Sequence, residues 1–145
     1  MIRVVIDTNV VVSAALNEGS LPAAILSLAI DKNILMFVSA PVLAEYEGVL
    51  NRPHLKLSDK RVKALLADIR SSSELVQPTR IVARIKTDES DNRFLECAQA
   101  AIAHYLVTGN IKHFPKTFEQ TTIVTPKQFT DLVLPNLAQP GNEQS

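Results

Sequence analysis

An apolar, mostly β-branched run, Ile2-Arg3-Val4-Val5-Ile6, ends on an acid, Asp7, and passes at once through Thr8-Asn9 into a helix-compatible segment from Val10 to Leu16. A run broken only by Arg3 suits a strand buried on both faces, the kind found at the centre of a parallel sheet. In open α/β folds ligands sit in the crevice beyond the carboxyl ends of the strands, so Asp7 falls where a site would be built. Asp is also a common first residue of a helix, where it accepts free N–H groups. This stretch alone leaves both roles open.

The same unit recurs. Pro22 opens a helix that runs to Ile30, Ile34 to Ser39 reads as a second buried strand, and Val42 to Leu50 as the helix after it, with Glu45 near its start. Asn51-Arg52-Pro53-His54 breaks the pattern. Ser58 then caps a helix whose apolar positions Val62, Leu65, Leu66 and Ile69 keep helical spacing. Glu74 to Gln77 and Ile81 to Ile85 are short extended candidates around Pro78, read as an edge strand and a loop. The acidic stretch Lys86 to Asn92 precedes a helix over 93–103, followed by the strand Tyr105 to Thr108 and a turn at Gly109-Asn110 that tolerates positive φ. Thr122 to Val124 is a last strand, and Thr125-Pro126-Lys127-Gln128 starts a helix in the capping-box manner. Strands alternating with helices predict one α/β domain over 1–134, a three-layer α/β/α sandwich around a mainly parallel sheet. The polar stretch 135–145 is expected to be a disordered tail.

Asp7 ends the first strand, Glu45 opens the helix after the second, and Asp88 and Asp91 open the helix before the strand at Tyr105. Short turns would bring them to one edge of the sheet. Two carboxylates ~5 Å apart repel by about 3 kcal/mol at an effective dielectric of ~20, so three together need a cation or a shared proton. Each acid alone can be read as a helix N-terminal residue favoured by the macrodipole. Jointly they point to a metal site, and oxygen ligands without a His/Cys cluster select Mg²⁺ or Mn²⁺ over Zn²⁺. Such ions work with phosphate oxygens and water, which implies phosphodiester hydrolysis.

Overall charge neither supports nor forbids a nucleic-acid partner, because 15 basic and 15 acidic residues cancel and any binding needs a local patch or a metal. Cys97, the only cysteine, sits in an apolar run and reads as a core residue of a reducing compartment. Nothing looks like a signal peptide or approaches the ~20 apolar residues of a membrane span, so a cytoplasmic protein with no membrane partner is expected.

Four motifs in this order and spacing resemble the PIN-domain ribonucleases, specifically the VapC-like single-domain toxin components of bacterial toxin–antitoxin systems. They are Val5-Ile6-Asp7-Thr8-Asn9-Val10; Ala44-Glu45 with Val49-Leu50-Asn51-Arg52-Pro53; Asp91 to Ala98; and Tyr105 to Asn110. The resemblance implies that Asp7, Glu45 and Asp91 hold Mg²⁺ or Mn²⁺ and position the attacking water, with Asn9 as a secondary polar contact. Thr108 precedes the place where many PIN domains have a fourth acid. Here that place is Asn110, which can offer a metal its amide oxygen but adds no negative charge. Asp88 either supplies the missing carboxylate or caps its helix. The resemblance further implies an RNA substrate, a protein antitoxin and a homodimer.

Arg52, His54, Lys112, His113 and Lys116 lie in or after turns at the rim of this acidic edge and are the candidate contacts to an RNA backbone. Glu96, about 140° around its helix from Asp91, and Glu47, two residues after Glu45, should point elsewhere. Two rival functions remain. One is phosphotransfer through an aspartyl-phosphate on Asp7, disfavoured because Asn9 stands where the dehalogenase-like phosphatases carry a second acid. The other is a PIN-like RNA- or protein-binding module whose metal site Asn110 has weakened.

Overall fold

The computed structural model describes residues 1–85 and 88–137. Six strands form one sheet in the order β3-β2-β1-β4-β6-β5. They are β1 (Arg3–Ile6), β2 (Leu35–Val38), β3 (Glu74–Leu75), β4 (Tyr105–Val107), β5 (Thr117–Phe118) and β6 (Thr121–Val124). All pairings are parallel except β5 with β6. The helices are α1 (Thr8–Leu16), α2 (Leu21–Ile30), α3 (Ala40–Leu50), α4 (Asp59–Ser72), α5 (Asn92–Ala101) and α6 (Pro126–Leu137). The expected three-layer α/β/α sandwich is what the chain builds.

The core follows from the strands. Val4, Val5 and Ile6 of β1 and Leu106 and Val107 of β4 have no solvent exposure, as fits central strands covered on both faces. α5 lies against β1, β2 and β4, while α6 packs on β4, β6 and α2. Ser58 caps α4 as its sequence promises, its hydroxyl accepting the Arg61 N–H, and the hydroxyls of Ser20 and Ser39 cap α2 and α3 by accepting the N–H groups of Ala23 and Val42. Thr125 and Gln128 exchange backbone and side-chain bonds at 3.1 and 2.9 Å, the reciprocal capping box.

The strand order reverses around β1, with β2 on one side and β4 on the other. A crevice opens at such a switch point, beyond the carboxyl ends of the strands. Register then decides what meets there. Ile6 pairs with Val107, so the next residues, Asp7 and Thr108, leave the sheet side by side.

Several expectations need correction. α5 ends at Ala101 rather than continuing to 103, because Ile102 turns left-handed (φ 51°) and the N–H groups of Ile102 and Ala103 close on the carbonyls of Gln99 and Ala98, a Schellman ending that redirects the chain into β4. β5 has no counterpart in the sequence reading; it is two residues long and forms a tight antiparallel pair with β6. Ile81 to Ile85 form no strand, in keeping with the loop expected there. Gly109 does not have positive φ. The proposed boundary at 134 falls inside α6, which carries Pro135 and runs to Leu137; residues 138–145 of the expected tail, and Lys86 and Thr87, lie outside the described residues. No single helix among the described residues is long and apolar enough to cross a membrane.

Candidate functional site

A cleft of about 410 Å³ opens at the carboxyl edge of the sheet, and its walls include Asp7, Asn9, Glu45, Asp88, Asp91 and Asn110. Thus the acids singled out in three separate stretches of sequence do share one address. Arg52 and His54, from the turn after α3, line the same cleft together with the apolar side chains of Val12, Val49, Leu55 and Phe94.

Asp7 is almost wholly buried, with 4% exposure, and it caps α1 while lining the cleft. Its Oδ1 accepts the Thr8 N–H at 2.8 Å as the cap of α1. Its Oδ2 accepts the Thr108 hydroxyl at 2.7 Å and the Asn9 amide at 2.9 Å. Asn9 in turn accepts the Gly109 N–H on its Oδ1 at 2.8 Å, and Thr108 accepts the Asn110 N–H at 3.0 Å. What glycine eases at 109 is proximity, not φ: a Cβ there would stand 3.2 Å from Asn9 Oδ1, so the Asn9 side chain would have to give by a few tenths of an ångström. The strand-end register therefore becomes a hydrogen-bonded frame that fixes one carboxylate by three hydrogen bonds.

The electrostatics match a crowd of acids. Burial raises the Asp7 pKa above the ordinary value, the bonds from Thr108, Thr8 and Asn9 oppose that rise, and the charge of Glu45 adds to it. Asp91 is pushed up to about 6 by burial first and then by the charges of Asp7, Asp88 and Glu45, against a lowering pull from His113. Its carboxylate makes no capping bond to α5. Asp88, by contrast, spends Oδ1 on the N–H and hydroxyl of Ser90 at 3.1 and 2.6 Å, capping the single turn Glu89–Asp91 that precedes α5 rather than α5 itself.

In chemistry the donor set, carboxylates with one amide and no sulfur or imidazole cluster, fits a hard divalent cation. Thr8 Oγ1, buried beside Asp7, is a further polar atom without a hydrogen-bond partner among the described residues. In arrangement the acids stand apart: among the described residues no three His, Cys, Asp or Glu side chains are gathered closely enough to enclose an ion. Closing a shell requires them to draw together.

Other candidates separate cleanly. Lys112 and His113 form a single turn after β4, and Lys116 precedes β5, where its carbonyl accepts the Ile123 N–H. None of these three lines the cleft, although His113 is near enough for its charge to act on Asp91. Glu96 is buried and turned away, accepting the Val82 N–H at 2.9 Å and pairing with Arg93 at 3.0 Å. Glu47 pairs with Arg70 at 3.7 Å. Burial pushes the Cys97 thiol up to about 12, which makes it an inert core residue. Missing from the sequence reading is Tyr46, fully buried behind Glu45, whose hydroxyl donates to the Ile6 carbonyl; its only sequence signal was its place next to an acid.

A family model described as the PIN domain matches residues 3–112, a span holding every acid of the cleft. The uncharacterized protein MJ1680 of Methanocaldococcus jannaschii is 31% identical over 112 residues, which cover 75% of this chain and 71% of that protein. A crystal structure of VapBC2 from Rickettsia felis bound to a DNA fragment from their promoter superposes with a TM-score of 0.61 over 86% of this chain and 98% of that chain, at 22% identity, a likeness of fold. Since the matched span takes in well over half of the chain and the whole of the acidic cleft, this protein belongs to the PIN-domain family.

Proposed function

We propose that the chain is a divalent-cation-dependent endoribonuclease, the toxin member of a toxin–antitoxin pair, hydrolysing phosphodiester bonds at Asp7, Glu45 and Asp91. The observation that carries this reading is the convergence of carboxylates from the end of β1, from α3 and from the start of α5 on one cleft, where burial first and their charges second push Asp91 up to about 6. Unrelieved, that arrangement is unfavourable, and a cation relieves it. Mg²⁺ or Mn²⁺ held there would supply activation of water and neutralisation of charge at the phosphate.

The chain's own residues do the rest. Asp7 is orientated before any substrate arrives, because Thr8, Asn9 and Thr108 hold it, and preorganised groups lose little freedom on reaction. Arg52 and His54 stand at the rim, where the RNA backbone passes, as phosphate contacts that position without reading sequence. Asn110 offers the site a neutral oxygen in place of a fourth charge. The likeness to VapBC2, crystallised bound to a DNA fragment from their promoter, supports assigning this chain a protein antitoxin partner. A homodimer and a cytoplasmic location complete the proposal.

The test is to incubate the purified chain with single-stranded and hairpin RNAs in Mn²⁺, in Mg²⁺ and in excess chelator, beside Asp91→Asn and Asp7→Asn. Cleavage is expected only with metal and only in the wild type. Asp91→Asn is the cleaner knockout, because its side chain makes no capping bond whereas Asp7 accepts three. Full activity in Asp91→Asn would sink the assignment. RNA binding that ignores chelator, without cleavage, would replace it with a binding module.

A further inference from the structure

Tyr46 connects the three elements that carry the acids. It follows Glu45 on α3. Its hydroxyl donates to the carbonyl of Ile6, the residue before Asp7. Its ring lies against Phe94, with centroids 6.2 Å apart and planes tilted by 43°, and Phe94 is the third residue after Asp91 and lines the cleft.

The bond to Ile6 fills a place that the sheet leaves open. The β1–β2 ladder has its last paired residues at Val4 and Met36, and the chain after β2 has already turned into α3 at Ala40, so the Ile6 carbonyl is buried at the end of a strand whose partner has departed. A buried carbonyl requires a donor. The tyrosine is itself fully buried, and its hydroxyl is the donor that carbonyl finds. Tyr46 does not line the cleft and would not itself touch an ion.

We propose that Tyr46 is a positioning residue that sets the spacing of Asp7, Glu45 and Asp91, and through it the affinity of the cleft for a divalent cation. This rests on the cation-dependent reading of the site. A backbone carbonyl one residue from Asp7, a peptide bond to Glu45 and a ring contact to the helix behind Asp91 tie together the three chain segments that carry the carboxylates. Partners lying outside a metal's ligands commonly change affinity 10–100-fold when removed.

The experiment is Mn²⁺ binding to the full chain without RNA, read from the paramagnetic resonance signal of free Mn²⁺. Tyr46→Phe keeps the ring and deletes only the hydroxyl, and it is expected to weaken Mn²⁺ binding about tenfold or more while circular dichroism shows a retained fold. Phe129→Leu is the control for general loosening. It truncates a ring equally buried on α6, edge-on to Tyr105 and away from the cleft, and is expected to lower the melting temperature without changing Mn²⁺ affinity. Phe94→Leu, which spares the hydroxyl and slackens the ring contact, should weaken binding by less than Tyr46→Phe. Wild-type affinity in Tyr46→Phe, or an equal loss in Phe129→Leu, overturns the positioning role while leaving the cation site standing. Absence of Mn²⁺ binding by the wild type overturns both.

Discussion

Asp91 shows what a carboxylate in the acidic cleft does to the fold that holds it. Its pKa is pushed up to about 6 by burial and by Asp7, Asp88 and Glu45, so the folded chain binds its proton more tightly than the unfolded chain does. The sign follows by linkage: the stabilising contribution is fully present below the unfolded value near 3.8 and is lost as pH rises through about 6. At neutral pH the ionised group therefore weighs against folding. Asp91→Asn should raise the melting temperature at pH 7.5 by on the order of a few degrees, the partial exposure of the site moderating the gain. At pH 4, where the wild-type side chain is largely protonated, the difference should shrink toward zero. Thermal melts of the two proteins at both pH values, in chelator, check this; an Asp91→Asn variant no more stable than wild type at pH 7.5 contradicts it. Asp7 and Asp91 were legible in the sequence because each stands at a strand end or helix start, where the chain's own punctuation marks the sheet edge; Glu45, expected near the start of its helix, is instead the sixth residue of α3, which begins at Ala40. The residues that hold them were less so. Asn9, Thr108 and Gly109 meet only because register sets Ile6 beside Val107, and pairing between strands a hundred residues apart leaves no trace in local spacing.

At the scale of elements, the segment between β3 and α5 is the part that periodicity did not describe, since it has none. It is held by side chains instead. Asn92, fully buried at the start of α5, accepts the Ile85 N–H at 2.8 Å and donates to the Ile85 carbonyl at 2.6 Å. Glu96 accepts the Val82 N–H and Arg93 donates to the Val82 carbonyl at 3.3 Å. A loop's buried backbone groups must find partners somewhere, and here one face of a helix supplies them. In the sequence these three residues looked like an acid motif and its polar neighbours; their spacing over five positions of one helix was the available clue. The strap leads toward Asp88 and Asp91, so the clamp ties the position of two cleft residues to α5. Asn92→Ala leaves both Ile85 groups without partners at about 1–3 kcal/mol, and local opening should rise accordingly. Exposed Arg80 and Arg84 make the change visible: trypsin should cut there on the order of tenfold faster or more in Asn92→Ala, with α1–α4 fragments intact. An unchanged digestion rate would mean that the apolar contacts of Val82 and Ile85 hold the strap without the clamp.

For the molecule as a whole, alternation of buried strands with amphipathic helices was enough to predict a parallel sheet and the edge at which its site lies, because right-twisted βα units have few ways to pack. The sequence could not show β5, whose two residues are too few for any period, nor where α5 turns at Ile102. It also could not show that the acids, though gathered in one cleft, remain open to one another. That last feature has a thermodynamic reading. A chain with no net charge has gathered several carboxylates at one edge of its fold, where burial and their mutual repulsion raise the Asp91 pKa, so the proposed cation site predicts that stability follows occupancy: an ion that binds the folded form alone stabilises it by mass action, about 2.7 kcal/mol when present at 100 times its dissociation constant. Titrating Mn²⁺ or Mg²⁺ into the wild type should raise its melting temperature by on the order of several degrees, and chelator should reverse the gain. Asp91→Asn starts higher in chelator and should respond to the ion much less, so the two curves converge or cross as the cation is added. Convergence would show that the repulsion and the ion site are the same feature. Parallel curves, both rising equally, would place the stabilising ion elsewhere on the surface and separate the strain at Asp91 from metal binding altogether.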